Sequence, residues 1–218
     1  MIAFVMNLQT RPERWKKMKK DFLNSGIRLK RFVGKKLEVG LCGTLDSTVK
    51  ILKEAKEMKL KNVLILEDDC KLQKGWKDNW KIIKEWLDDN LDKWDIYSGG
   101  NTNVYFPKEV ARLNKNISLY DPIFSTASHW IYISEINYNK IIKHYSTILK
   151  VCNTMGRVIY PITSDIYNNF LKTLISYPYL SYQYESMSDT ANRTRTNHIK
   201  QFINSEKYLK KINKTRKL

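Results

Sequence analysis

Cysteine is scarce: Cys42, Cys70 and Cys152 are widely spaced and form no CxxC pair. Three thiols cannot all pair within one chain. A disulfide scaffold or a zinc–cysteine site is therefore not expected, and a reducing, cytoplasmic setting is. Histidine is as rare. His129, His144 and His198 make neither an HExxH motif nor a two-histidine helical pair, which removes the common zinc-hydrolase patterns. No run approaches the roughly 20 apolar residues needed to span a bilayer. The apolar opening, Ile2 to Met6, is too short for a secretory signal and lacks a basic leader, so neither a signal peptide nor a membrane span is expected. Acidic residues are the minority charge: 22 Asp and Glu stand against 39 Lys and Arg, a formal net charge of +17. Such a surface attracts anions, and nucleic acid, nucleoside diphosphates and acidic lipid all qualify.

Apolar side chains are plentiful. Of 218 residues, 42% are hydrophobic and 12% aromatic, enough for one sizeable core and too many for a disordered chain. Ile2 to Met6 reads as a strand buried on both faces. Thr10 is placed to cap the next helix, with Pro12 in its first turn and Glu13 three residues after the cap; Gly26 stops that helix. Ile27 to Val33 alternates like a half-exposed strand, and Gly34 to Gly43 reads as a loop. A helix from about Leu45 to Leu60 carries the stripe Leu45, Val49, Leu52, Ala55 and Met58. Val63 to Leu66 is a second buried strand, and Trp76, Trp80, Ile83 and Leu87 mark another helix. Trp94 to Tyr97 is a short strand closed by Gly99-Gly100. Strands alternating with helices predict an α/β domain with a mostly parallel sheet. The second half is less regular, with a strand at Trp130 to Ile133 and helices at Ile136 to Leu149 and Asp165 to Leu174. Tyr177 to Tyr184 reads as loop or edge strand. Its tyrosines fit either sugar stacking or a core-facing strand.

The domain is expected over residues 1–192, with 193–218 as a basic helical tail. The tail holds nine basic residues and one acid, Glu206, around a weak stripe of Phe202, Ile203, Leu209 and Ile212. It reads either as a solvated terminal helix or as a peripheral contact to anionic membrane.

The strongest chemical signal is Glu67-Asp68-Asp69 at the carboxyl end of the second buried strand, the edge where open α/β sheets bind ligands. Crowded carboxylates raise one another's pKa, and a divalent cation removes the conflict. Hard oxygen ligands suit Mg²⁺ or Mn²⁺, which also bridge to phosphate oxygens. An acidic helix-capping turn is the plainer alternative. Asn7 follows the first strand, with Arg11 and Arg14 one helical turn apart and able to hold phosphate through forked donors. Two surface arginines would look the same.

These residues resemble glycosyltransferase family 25, which includes bacterial lipooligosaccharide glycosyltransferases and collagen galactosyltransferases. The matching blocks run in order. They are Asn7-Leu8 with Arg11 and Arg14, the Gly40-Leu41-Cys42-Gly43 turn, Leu66-Glu67-Asp68-Asp69, Trp94-Asp95, Ser128 to Ser134, Pro161 to Asp165, and Pro178, Gln183 and Ser188-Asp189. Asp46-Ser47 stands where the family has Ser-His. The resemblance implies a GT-A fold, with a Rossmann-like nucleotide half and a less regular acceptor half. It also implies Mn²⁺ or Mg²⁺ and a nucleotide-sugar donor, a uridine-diphosphate sugar favoured. The sugar would pass to a hydroxyl of a glycan, protein or lipid-linked acceptor. By the same resemblance Glu67-Asp68-Asp69 is the DxD-type motif. Asp69 would bind metal, Glu67 metal or ribose, and Asp68 would approach the donor sugar. Asn7, Arg11 and Arg14 map to the nucleotide side.

An inverting reaction needs a base for the acceptor hydroxyl. Asp165 is the first candidate, and it reads equally as a helix N-cap. Asp189 and His129 are weaker candidates, and His198 is placed for a further metal contact. The alternative function is a basic nucleic-acid-binding protein or metal-dependent nuclease, although no recognised reading motif is present.

Overall fold

A computed structural model describes residues 1–37, 40–155, 171–184, 187–188, 193–194 and 198–215. Its first strand, β1 (Ile2–Leu8), lies between β2 (Arg28–Gly34) and β3 (Asn62–Glu67), parallel to both. On β3, Leu64 and Leu66 enter one core cluster while Val63 and Ile65 enter the other. The strand is apolar at every step because both of its faces are covered.

The helices sort to the two faces accordingly. Met18 of α1 (Pro12–Asp21) shares one cluster with Trp80, Ile83 and Leu87 of α3 (Trp76–Asp89). Leu45, Val49 and Leu52 of α2 (Gly40–Glu57) share the other with Tyr138, Ile141 and Tyr145 of α4 (Glu135–Met155). Two helix starts differ from the sequence reading. Arg11, not Thr10, is the N-cap of α1 and makes no side-chain cap bond. Pro12 leads that helix, and proline suits the first helical position because its missing N–H would have no partner there. The helix α2 begins at Gly40, inside the expected loop. Cys42 extends its buried stripe by a turn, and Ser47 donates to the Gly43 carbonyl at 2.7 Å.

Beyond β3 come β4 (Cys70–Leu72), β5 (Ile96–Ser98) and a long hairpin of β6 (Thr102–Arg112) with β7 (Ser118–Thr126). Then follow β8 (Trp130–Ser134), β9 (Thr173–Tyr177) and β10 (Ser181–Gln183). A small pair joins β11 (Met187–Ser188) to β12 (Arg193–Thr194). The main sheet has eight strands in the order β2-β1-β3-β8-β5-β9-β7-β6. Pairing polarities place β1, β2, β3, β5, β6 and β9 in one direction, with β7 and β8 opposed. The α/β class and the mostly parallel sheet expected from sequence are thus present. The expected helix at Asp165 to Leu174 is corrected at its end, where Thr173 and Leu174 belong to β9; residues 156–170 lie outside the described set.

The last helix, α5 (His198–Thr215), covers the β6–β7–β9 side of the sheet. Phe202 and Leu209 are fully buried against Val104, Tyr120, Ile175 and Tyr179, with Ile212 packed alongside. Most of the apolar stripe that a membrane would receive therefore faces the protein core. No helix among the described residues is long and apolar enough to cross a membrane.

Topology places the site. The chain leaving β1 turns outward to β2, and the chain leaving β3 runs the other way towards β5. The carboxyl ends of β1 and β3 diverge there, and open α/β sheets form their ligand crevice at such a point.

Candidate functional site

At the end of β1, Asn7 is 2% exposed and its side chain is fully occupied. Its Nδ2 donates to the Arg11 carbonyl at 2.9 Å and to Asp68 Oδ2 at 2.7 Å. Its Oδ1 accepts from Arg31 Nε at 2.8 Å. From α1, Arg14 donates to Asp68 Oδ1 at 2.9 Å. Both oxygens of Asp68 are thus engaged, in an ion pair whose side chains are 18% and 11% exposed. This corner ties β1, β2, α1 and the turn after β3 together. Asp68, expected to approach a donor sugar, instead faces β1 and α1.

Glu67 and Asp69 face the other way. Glu67 Oε1 accepts from Ser128 Oγ at 2.7 Å, and its Oε2 accepts from Gln183 Nε2 at 2.8 Å. The same Gln183 nitrogen lies 3.2 Å from Asp69 Oδ1. One amide therefore bridges the two carboxylates. The expected cluster of three acids is instead a pair plus a salt-bridged third. Among the described residues no group of three or more His, Cys, Asp or Glu side chains is gathered for a metal. Repulsion among the acids is relieved by donors: Asn7 and Arg14 at Asp68, Ser128 and Gln183 at Glu67.

Gln183 reaches this position through close backbone contacts. The strand β10 pairs antiparallel with β4, placing Gln183 beside Cys70. The Tyr184 amide donates to the Asp69 carbonyl at 2.8 Å, and the Leu180 amide to the Gly99 carbonyl at 2.7 Å. A Cβ at Gly100 would stand 2.1 Å from the Ser181 carbonyl oxygen, so only glycine lets β10 approach. His129 is fully buried, with Nε2 2.9 Å from Ser181 Oγ and its ring edge-on to Phe202. It packs inside the protein rather than lining the crevice.

Cys70 follows the acids directly. Burial pushes its thiol well above the usual range, and the charges of Asp69 and Glu67 add to that. It stays a neutral thiol, not a metal-binding thiolate. Ser98 Oγ, Asn101 Oδ1 and Trp130 Nε1 are buried at this edge without a hydrogen-bond partner among the described residues.

The fold thus brings together Asn7, Arg14, Glu67, Asp68 and Asp69, with the Arg11 backbone. Asp165 and Asp189 lie outside the described residues, as does the side chain of His198. Three participants were not singled out as site residues: Arg31, Ser128 and Gln183. Arg31 follows Lys30 in a short basic stretch and reads as a surface position. Ser128 and Gln183 do fall within the blocks that resemble family 25, which was the available signal.

No protein-family model matches the chain, and no curated protein matches its sequence. Solved structures give distant likenesses. A glycosyltransferase involved in glycosylation of the major capsid of PBCV-1 is 9% identical over 73% of this chain and 70% of its own, with a TM-score of 0.43. A protein from STIV is 12% identical over 90% of this chain and 94% of its own, with a TM-score of 0.45. A mannose-1-phosphate geranyltransferase from Thermus thermophilus is 10% identical over 79% of this chain and 57% of its own, with a TM-score of 0.42.

Proposed function

We propose that this chain is a GT-A glycosyltransferase akin to family 25, transferring a sugar from a nucleotide-sugar donor to an acceptor hydroxyl. One observation carries the reading. Glu67 and Asp69 converge on a single amide nitrogen at the carboxyl ends of the strands, on the opposite side of the turn from the Arg14–Asp68 pair. Two converging carboxylates at a sheet switch point suit a divalent ion that bridges to a diphosphate.

The donor set fits a hard divalent ion. Two carboxylate oxygens approach one point, and a half-turn of the Gln183 amide exchanges its nitrogen for a third oxygen donor. Glu67 and Asp69 would hold Mn²⁺ or Mg²⁺, which would offset charge developing on the departing diphosphate. Ser128 orients Glu67 through its 2.7 Å hydrogen bond. Asn7 holds Arg31 and Asp68 holds Arg14, and Asn7, Arg11 and Arg14 are assigned to the nucleotide side. Asp165 is proposed as the base that takes the acceptor proton.

The test is a panel of uridine- and guanosine-diphosphate sugars, read by thermal shift with and without Mn²⁺. A rise in melting temperature that needs both components is expected, and Asp69→Asn should abolish it while the fold survives. No shift and no donor hydrolysis across the whole panel would overturn the reading.

A further inference from the structure

At the amino-end edge of the sheet, opposite the carboxylates, lies a cavity of about 520 Å³. Five residue steps along β3 separate Asn62, which lines it, from Glu67, a distance of about 17 Å at ~3.3 Å per residue. Its apolar surface comes from Met1, Ile2 and Leu60, and three basic side chains line it: Arg28, Lys61 and Lys84. No carboxylate lines it.

The charges are unevenly compensated. Lys84 pairs with Asp88 one helical turn along α3, and Asp88 also accepts from the Tyr132 hydroxyl at 3.3 Å. The side chains of Arg28 and Lys61 make no ion pair or hydrogen bond among the described residues. Their backbones are fixed. The Arg28 amide donates to the Met1 carbonyl at 3.1 Å, and the Lys61 carbonyl accepts from the Glu135 amide at 2.8 Å. Two anchored, unpaired cations thus border an apolar hollow of ligand size.

We propose that this cavity binds a small organic phosphomonoester, with the phosphate between Arg28 and Lys61 and an apolar body against Ile2 and Leu60. A dianion matches two unpaired cations. The guanidinium fork suits phosphate oxygens, and the apolar surface gives an organic phosphate an advantage over the free ion. The site is separate from the donor crevice and does not depend on the glycosyltransferase reading.

Titration calorimetry with phenyl phosphate and with inorganic phosphate tests it on the full chain. Phenyl phosphate should bind at least about tenfold more tightly than inorganic phosphate. The double variant Arg28→Gln, Lys61→Gln should weaken phenyl phosphate by about tenfold or more. Both side chains are exposed and unpartnered, so that variant should melt like the parent chain. Asp69→Asn should leave phenyl phosphate binding unchanged. Equal affinity for the two probes, undiminished binding by the double variant, or loss of binding with Asp69→Asn would each overturn the proposal.

Discussion

Arg14 reaches from α1 to within 2.9 Å of Asp68, whose second oxygen is held at 2.7 Å by Asn7. The ion pair is largely withdrawn from water. Removing one partner of such a pair leaves a buried charge, at a cost of about 3–5 kcal/mol. Asn7 still serves Asp68 after Arg14→Ala, so the loss should fall near the lower bound, about 3 kcal/mol. Urea denaturation measures it. Arg14→Met combined with Asp68→Leu should recover much of the loss, because neither charge is then left alone. If the single variant unfolds like the parent chain, this corner does not hold β1 to β3.

Gln183 invites a sharper substitution. Its amide sits between Glu67 and Asp69, so Gln183→Glu brings a third carboxylate against two. Without a divalent ion the variant should be destabilised by about 2 kcal/mol through like-charge repulsion. Millimolar Mn²⁺ should restore the melting temperature of the variant more than it raises that of the parent. A variant indifferent to Mn²⁺ would remove the metal from the proposed site.

The strand β3 could be read from sequence because an unbroken apolar run ending in acids has few other meanings. The hairpin β6–β7 could not. The edge strand β6 carries Pro107, leaves Tyr105 and Phe106 exposed, and shifts register twice against β7. Its pattern has no clean period of two. The site divides in the same way. Glu67 and Asp69 are adjacent to a legible strand end. The partners of Asp68 are 54 and 61 positions away, and Gln183 is 116 positions from Glu67. Only the β1–β3 neighbour relation and the β4–β10 pairing bring them together, and neither has a local signature.

Gly100 should tolerate nothing larger. Its missing Cβ would meet the Ser181 carbonyl oxygen at 2.1 Å, a backbone atom that cannot rotate aside. Gly100→Ala should push β10 away and cost about 3 kcal/mol or more, the upper part of the range for overpacking. It should also reduce donor binding by displacing Gln183. Unchanged stability would mean that β10 does not lie against Gly100.

Cys42 gives a pH signature. Burial pushes its thiol up to about 11, and a hydrogen bond to Cys152 adds to the shift. A thiol whose folded pKa lies above its ordinary 9.0 holds its proton more tightly in the folded chain. The stability it contributes is complete below about pH 9 and is lost as pH rises towards 11. Folding stability measured against pH should therefore decline across that window, and more shallowly in Cys42→Ala. Iodoacetamide at pH 8 should label native Cys42 slowly. Rapid labelling, or identical pH profiles for both chains, would contradict the buried thiol.

The basic excess is spread along the chain's surface, and α5 shows how it sits there. Phe202 is fully buried and touches His129, Tyr179 and Tyr182 edge-on or tilted, while Lys207 and Lys210 on the same helix are exposed. Glu206, the acid of that segment, accepts from the Tyr179 amide at 2.9 Å and from the Tyr182 hydroxyl at 2.5 Å. The helix is held by its apolar stripe and its single acid, not by its charge. Phe202→Ala should cost about 3–5 kcal/mol, the range for emptying a buried aromatic site. Lys207→Gln with Lys210→Gln should stay within about 0.5 kcal/mol of the parent chain. A membrane-bound α5 would reverse that order in a vesicle assay. The lysine variant would then lose binding to anionic vesicles, and adding vesicles would expose Phe202 to quenchers instead of leaving it in the core.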